Sequence, residues 1–183
     1  EPKPYFLYVG NAYPHKNLER LIEAFGSFKV SKFQSFKLIL VGPDDYFYKK
    51  LKDKVQKTGL VDQVIFHGPA TKEELADLYK NALALVFPSL MEGFGLPGVE
   101  AMVNGCPVLC SDIPVFHEIY GEAAVYFNPD DKNDIAKKME EICYLVSEHD
   151  NKLEELREKG LKKVKKYSCQ KLARETLAVY KSI

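Results

Sequence analysis

The chain contains 183 residues, of which 46% are hydrophobic, enough to bury the core of one ordinary α/β domain but not of two large ones. Its 26 basic and 26 acidic residues cancel, so no net charge attracts the chain to nucleic acid or to an anionic membrane surface. We therefore expect any anion to be bound by a local arrangement of groups.

The sequence predicts no transmembrane segment, which would need a run of about 18 apolar residues. The opening residues Glu1 to Pro4 lack the charged and apolar regions of a signal peptide. Because the chain begins without Met and with spaced prolines, we expect residues 1–4 to be the remnant of an interdomain linker.

The cysteines and histidines show neither a Cys-x-x-Cys pair nor the spacing of a metal site. They are Cys106, Cys110, Cys143, Cys169, His15, His67, His117 and His149. Cys106 and Cys110 flank a predicted strand and would lie about 13 Å apart, too far for a disulfide. We therefore expect buried thiols, as in a reducing cytoplasm, and no bound metal.

Six short apolar runs predict β-strands. They cover Tyr5 to Val9, Phe36 to Val41, Val64 to Phe66, Leu83 to Phe87, Val108 to Cys110 and Ala124 to Phe127. Amphipathic helical patterns fill the segments between them, so the alternation predicts a parallel sheet covered by helices on both faces and connected by right-handed crossovers. The predicted fold class is α/β, a Rossmann-like domain of about six strands.

Several predicted helices have recognisable starts. Asn17 is expected to cap the first helix, and Thr71 with Glu74 forms a capping-box pattern. The apolar residues at helical spacing after Asn17 are Leu18, Leu21, Ile22, Phe25 and Phe28. After the last strand, the predicted helices run from Asp131 to Glu148, from Asn151 to Tyr167 and, after a Ser168 cap, from Cys169 to Ser182.

Two acidic pairs follow the second and the sixth predicted strands. They are Asp44-Asp45 and Asp130-Asp131. Such pairs can be metal ligands, but an Asp at a helix start accepts hydrogen bonds from free backbone N–H groups. We therefore favour helix capping for both pairs.

The segment from Pro88 to Met102 reads P-S-L-M-E-G-F-G-L-P-G-V-E-A-M and carries the strongest functional signal. Gly93 and Gly95 lack a Cβ, so the backbone can turn sharply and bring amide N–H groups close to a ligand. Pro97 lies just inside the predicted helix, where the free first-turn amides and the positive end of the helix dipole suit a diphosphate.

Two glutamates border this glycine turn. Glu92 precedes it, and Glu100 lies one helical turn beyond Leu96. Two such carboxylates can be solvated surface charges, or they can accept hydrogen bonds from sugar hydroxyls. The full string around them favours the second interpretation.

A second candidate element follows the first strand, where Gly10 to Asn17 read G-N-A-Y-P-H-K-N. Lys16 is expected at the carboxyl edge of the sheet beside a helix start, where open α/β sheets bind ligands. We therefore expect Lys16 to face phosphates. For His15, ligand contact and ordinary loop packing are both open.

Two other phosphate-binding fingerprints are absent from the sequence. A dinucleotide dehydrogenase would show G-x-G-x-x-G after the first strand, and a nucleoside triphosphatase would show G-x-x-x-x-G-K-[ST]. The sequence therefore favours neither of these two classes.

These segments resemble the retaining nucleotide-sugar glycosyltransferases of family 4, the glycosyl transferases group 1, which carry an E-x7-E motif in the donor-binding half of a GT-B fold. Glu92 and Glu100 match the two glutamates. The likeness extends to the opening Y-F-L-Y-V-G-N-A-Y-P-H-K-N-L-E-R-L-I-E-A-F and to the later S-D-I-P-V-F-H-E-I-Y-G-E-A-A-V-Y-F-N-P. It therefore spans nearly the whole chain.

The resemblance implies roles for individual residues. Of the two catalytic positions, Glu92 would hold sugar hydroxyls near the reacting carbon, and Lys16 would offset the charge that develops on the leaving diphosphate. Glu100 would accept hydrogen bonds from the ribose hydroxyls. Backbone amides for the sugar and the diphosphate would come from Gly93, Phe94, Gly95 and Leu96.

The chain departs from the family pattern at one position. An arginine usually follows the glycine after the first strand, and Asn11 stands there instead. With that cation missing, the diphosphate would be stabilised by Lys16, by helix dipoles and by His15, or by a group from another domain.

The resemblance implies that residues 1–183 form a single nucleotide-sugar-binding domain, the carboxyl-terminal half of a GT-B enzyme without its amino-terminal acceptor domain. Residues 168–183 would form the helix that crosses back to that domain. The enzyme would transfer a hexose, with GDP-mannose as the first donor to test, to an acceptor glycan or lipid-linked sugar in polysaccharide or glycolipid synthesis.

The resemblance also implies a cytoplasmic location, with any membrane association supplied by the missing domain, and no need for a metal or another cofactor. Two alternatives are open. The chain can be a non-catalytic nucleotide-sugar-binding module, or part of a GT-B-like epimerase or phosphorylase, which shares the architecture without this glutamate-glycine string.

Overall fold

The computed structural model describes residues 4–27, 36–148 and 150–182. Its six strands are β1 (Tyr5–Val9), β2 (Lys37–Val41), β3 (Val64–Gly68), β4 (Ala84–Phe87), β5 (Val108–Ser111) and β6 (Ala124–Phe127). They form one parallel sheet in the order β3-β2-β1-β4-β5-β6. The predicted α/β, Rossmann-like fold is confirmed. The largest difference from the predicted strands is at β3, which continues to Gly68.

Eight α-helices lie in the described part of the chain. They are α1 (Leu18–Ser27), α2 (Tyr46–Thr58), α3 (Lys72–Asn81), α4 (Leu96–Val103), α5 (Pro114–Tyr120), α6 (Lys132–Ser147), α7 (Asn151–Val164) and α8 (Cys169–Lys181). Phe28, which is predicted to continue the apolar face of α1, lies outside the described residues, as do residues 1–3 of the expected linker remnant and His149.

The core lies on both faces of the sheet. All residues of the adjacent strands β4 and β5 are buried, which requires cover on both sides because successive side chains point to opposite faces. The helices supply this cover: α1 packs against α2 and α6, whereas α4 packs against α3 and α7.

The predicted capping interactions are largely present. Thr71 and Glu74 form the capping box at α3. In each acidic pair the second residue caps a helix, since Asp45 accepts from two amides of α2 and Asp131 accepts from one amide of α6. Asn17 precedes α1 as predicted, but its side-chain amide donates to a loop carbonyl at Pro129 instead of capping the helix.

The last helix differs from the others. Every side chain of α8 that the structure describes is exposed, although several are apolar. These apolar residues include Leu172, Leu177, Val179 and Tyr180. None of the described helices is both long enough and apolar enough to cross a bilayer.

The capping assignment can be tested with two adjacent aspartates. Asp45 accepts hydrogen bonds from Phe47 and Tyr48 N–H at 3.0 Å. Among the described residues, Asp44 caps no amide and forms a surface ion pair with Lys52. We expect Asp45→Ala to lower the free energy of unfolding by about 1 kcal/mol in urea titrations, because two first-turn amides lose their acceptor. Asp44→Ala is the control and should leave stability nearly unchanged. Equal losses would contradict the assignment.

Candidate functional site

A reversal in strand order brings two loops together at one edge of the sheet. β1 and β4 are neighbours, and their next strands lie on opposite sides, because β2 pairs with β1 and β5 pairs with β4. The loops after β1 and β4 therefore lie side by side at the carboxyl ends of the strands, at the switch point where open α/β sheets bind ligands. Both segments predicted to be functional lie in these loops.

The loop after β1 is held in shape by two tyrosines. The Tyr8 hydroxyl donates to the Asn11 carbonyl at 2.7 Å, and the Tyr48 hydroxyl donates to the Gly10 carbonyl at 2.9 Å. Gly10 has φ +148°, and a Cβ there would lie 2.8 Å from Tyr8 Oη, so the position requires glycine. The loop ends in the 3₁₀ turn Pro14–Lys16.

Lys16 and Glu92 form an ion pair that joins the two loops. Lys16 Nζ lies 2.5 Å from Glu92 Oε1, and the two side chains are only 13% and 12% exposed. Lys16 Nζ also lies 5.6 Å from the centre of the Phe87 ring at the end of β4. The Leu90 N–H donates to the His15 carbonyl at 2.8 Å, so a backbone hydrogen bond joins the same two loops.

Ser89 holds the Glu92 carboxylate from a second side. Ser89 is fully buried, and its hydroxyl donates to Glu92 Oε1 at 2.8 Å. The same oxygen thus accepts from both Lys16 and Ser89, while Oε2 has no partner among the described residues. Glu92 is therefore fixed in place and keeps one oxygen able to accept a hydrogen bond from a ligand.

The glycine turn leaves backbone donors uncommitted. Gly95 has φ +85° and directly precedes α4, which no side chain caps. Within the described ranges, no acceptor contacts the backbone N–H groups of Gly93, Phe94, Gly95 and Leu96. Pro97 has no N–H, and the Gly98 N–H donates to the Gly95 carbonyl at 3.1 Å. The expectation that the whole first turn is free is therefore wrong at Gly98, and the free amides belong to the turn itself.

Tyr120 of α5 packs against this turn. Its hydroxyl is buried and donates to the Gly95 carbonyl at 2.5 Å. A Cβ on Gly95 or Gly98 would lie 2.2 or 2.3 Å from Tyr120 Oη, so both positions require glycine. Burial raises the pKa of Tyr120, so the hydroxyl stays protonated and able to donate at neutral pH.

Glu100 lies on α4, one turn after Leu96. The hydroxyl of Tyr79, a buried residue of α3, donates to Glu100 Oε2 at 3.1 Å. Burial, together with the neighbouring Glu100 carboxylate, raises the pKa of Tyr79 and keeps this donor protonated. Glu100 is thus oriented by one hydrogen bond, and its Oε1 has no partner among the described residues.

The remaining predicted residues take part in loop packing. Asn11 Oδ1 accepts from the Tyr13 N–H at 3.3 Å, and the His15 ring lies 6.1 Å from the Tyr13 ring. Phe94 meets the ring of Tyr167 edge-on at 5.5 Å. These contacts place Asn11, His15 and Phe94 in the two loops, and their roles toward a ligand stay predictions.

Three residues that orient the site were not identified from the sequence. The sequence offered one indication of a role for Ser89, which is its position three residues before Glu92 in the same glycine-rich string. Tyr79 and Tyr120 lie 21 and 25 residues from the groups they bind, and no sequence pattern marks such pairs.

The thiols expected to be buried are confirmed as buried at Cys106, Cys110 and Cys143, while the side chain of Cys169 lies outside the described residues. Burial raises the pKa of Cys106 and of Cys143 to about 12, so neither is a reactive thiolate at neutral pH. In the described ranges, no group of three His, Cys, Asp or Glu side chains is arranged to hold a metal ion.

The chain is similar to known glycosyltransferases. A family model described as "Glycosyl transferases group 1" matches residues 1–163. The chain is 41% identical over 155 residues to the O-antigen chain mannosyltransferase RfbU of Salmonella typhimurium, a match covering 82% of this chain and 42% of that protein. It is 31% identical over 178 residues to O-antigen chain mannosyltransferase B of Escherichia coli, covering 97% of this chain and 45% of that protein.

The fold is also similar to a solved structure. Sucrose-phosphate synthase from Thermosynechococcus elongatus superimposes with a TM-score of 0.85 at 27% identity, covering 98% of this chain and 45% of that chain. The chain therefore spans less than half the length of the relatives it matches.

The packing of the glycine turn predicts a contrast between two glycines. A Cβ on Gly98 would lie 2.4 Å from Tyr120 Cζ, whereas a Cβ on Gly93 meets nothing within 4 Å. We expect Gly98→Ala to lower the free energy of unfolding by about 1–3 kcal/mol, because the buried ring cannot move aside. Gly93→Ala is the control and should change stability by less than about 0.5 kcal/mol. Chemical denaturation that found equal stabilities would contradict this packing.

Proposed function

The chain belongs to the glycosyl transferases group 1 family, and on that basis we propose that it is the donor-binding, carboxyl-terminal domain of a retaining GT-B glycosyltransferase. One observation supports this most: the free amides of residues 93–96 lie in the same loop as Glu92, whose carboxylate pairs with Lys16 of the neighbouring loop. Backbone donors, a cation and a carboxylate are the groups that a sugar diphosphate requires.

The diphosphate binds the turn amides and the positive end of the α4 dipole. Its negative charge competes with Glu92 for Lys16, since both anions attract the same ammonium group. Binding of the donor therefore loosens the ion pair and leaves the Glu92 carboxylate, still held by Ser89, to accept from a sugar hydroxyl. Lys16 then stabilises the charge that develops on the leaving diphosphate.

Glu100 binds the ribose of the donor. Its carboxylate is oriented by Tyr79 and has a free oxygen, which suits a hydroxyl donor. Lys16 and the helix dipole offset the diphosphate charge, so we propose that donor binding needs no divalent metal.

The names of the relatives indicate which substrates to test first. RfbU and mannosyltransferase B are O-antigen chain mannosyltransferases, so we propose GDP-mannose as the donor and a growing glycan or lipid-linked sugar as the acceptor. The chain spans less than half the length of these relatives. We propose that a further amino-terminal domain binds the acceptor. We propose a cytoplasmic location, with any membrane association supplied by that domain.

The ribose assignment predicts a selective loss of affinity. We expect Glu100→Ala to weaken GDP binding by about ten- to a hundredfold in calorimetric titrations, because a charge-assisted hydrogen bond is lost. Inorganic pyrophosphate has no ribose, so its affinity should be unchanged. Glu122→Ala, which removes an exposed glutamate of the turn after α5, is the control and should alter neither. Equal losses for GDP and pyrophosphate would overturn the ribose assignment.

The two members of the ion pair should differ in kinetics. In the enzyme that contains both domains, we expect Glu92→Gln to lower kcat far more than it weakens GDP binding, because the carboxylate acts on the sugar and GDP has none. Lys16→Ala should lower turnover and GDP affinity together. Steady-state kinetics and product titration separate the two effects. A Glu92→Gln enzyme with near-normal turnover would refute the role assigned to the Glu92 carboxylate.

A further inference from the structure

We propose that Tyr120 is a positioning residue of the donor site, which directs the Leu96 N–H toward the diphosphate through the peptide group that joins Gly95 to Leu96. The inference rests on the proposed function, because it concerns the same anion site. It adds a residue of α5 that lies outside both loops.

The peptide bond between Gly95 and Leu96 links the Tyr120 hydroxyl to the proposed anion donor. The carbonyl of Gly95 and the N–H of Leu96 belong to the same planar, trans peptide and therefore point in opposite directions. The Tyr120 hydroxyl binds that carbonyl at 2.5 Å from the buried side. The Leu96 N–H must then point away from Tyr120, and it has no acceptor among the described residues.

Two hydrogen bonds to the Gly95 carbonyl restrain the rotation of this peptide. Gly95 has φ +85° and no Cβ, so its backbone can adopt several conformations that other residues cannot. The Gly98 N–H also reaches the Gly95 carbonyl, but at 3.1 Å and at the first turn of the helix. The shorter bond from Tyr120 therefore adds a second restraint on the orientation of this peptide.

The Tyr120 side chain is held rigidly by its neighbours. Its ring is fully buried and stacks on Phe116 at 5.1 Å, which stacks on Phe87 at 5.2 Å. Lys16 lies over the Phe87 ring. One aromatic stack thus supports both the cation of the first loop and the carbonyl of the glycine turn, so the anion-binding groups are held in a fixed mutual arrangement.

The test is removal of one hydroxyl. Tyr120→Phe keeps the ring and its stacking, so the fold is retained, while the Gly95 carbonyl loses its donor from α5. We expect the affinity of this chain for inorganic pyrophosphate and for GDP to fall by the same factor, about three- to tenfold, in calorimetric titrations. The losses should be equal because the Leu96 N–H is assigned to the diphosphate that both ligands share.

The matched control is Tyr5→Phe. The Tyr5 hydroxyl also donates to a backbone carbonyl, that of Leu78 at 2.8 Å, but it lies at the start of β1, at the opposite edge of the sheet. Tyr5→Phe should leave both affinities unchanged, while thermal unfolding shows whether the two variants lose similar stability.

The outcomes are distinct. Unchanged pyrophosphate affinity in Tyr120→Phe overturns the inference and leaves the proposed function standing. An equal loss in Tyr5→Phe, or a loss for GDP alone, also overturns it, because the effect is then general destabilisation or acts at the nucleoside. A wild-type chain that binds neither ligand refutes the proposed function itself, and the inference with it.

Discussion

The candidate site depends on the ion pair between Lys16 and Glu92. The two residues are 76 positions apart, and they meet because β1 and β4 are neighbours at the reversal of strand order. Both side chains are largely withdrawn from water, so their attraction is less screened than that of a surface pair. A buried hydroxyl and an aromatic ring fix the pair further. The ammonium group of Lys16 and the carboxylate of Glu92 thus neutralise each other, and an incoming anion can compete with Glu92 for Lys16.

Much of this arrangement could be predicted from the sequence. The apolar runs located every strand. The predicted parallel topology implied that the loops containing Lys16 and Glu92 lie at one edge of the sheet. The pairing of those two side chains could not be predicted, because topology brings loops together without specifying side-chain contacts. The family resemblance assigns Glu92 to the sugar and Lys16 to the diphosphate, whereas the structure pairs the two side chains with each other.

The supporting residues were harder to predict for a related reason. Tyr120 resembles any other core tyrosine in the sequence, since the feature that distinguishes it is the approach of its hydroxyl to a glycine turn 25 residues away. Gly98 shows the same limit, because its need for glycine arises from that ring and not from its own φ. Local pattern thus locates the donors of the site, while distant packing fixes their direction.

The exposed helix α8 gains little stability from the core of the domain. None of its described side chains is buried, so the packing that stabilises the sheet contributes little to keeping this segment helical. A free helix of this length is only marginally stable in water. A surface that covered the exposed Leu172, Leu177 and Tyr180 would therefore shift its helix–coil equilibrium toward the helix. Any partner that docks there is coupled to helix formation, and its binding would be measured as a gain in helical content without a matching gain in the stability of the sheet.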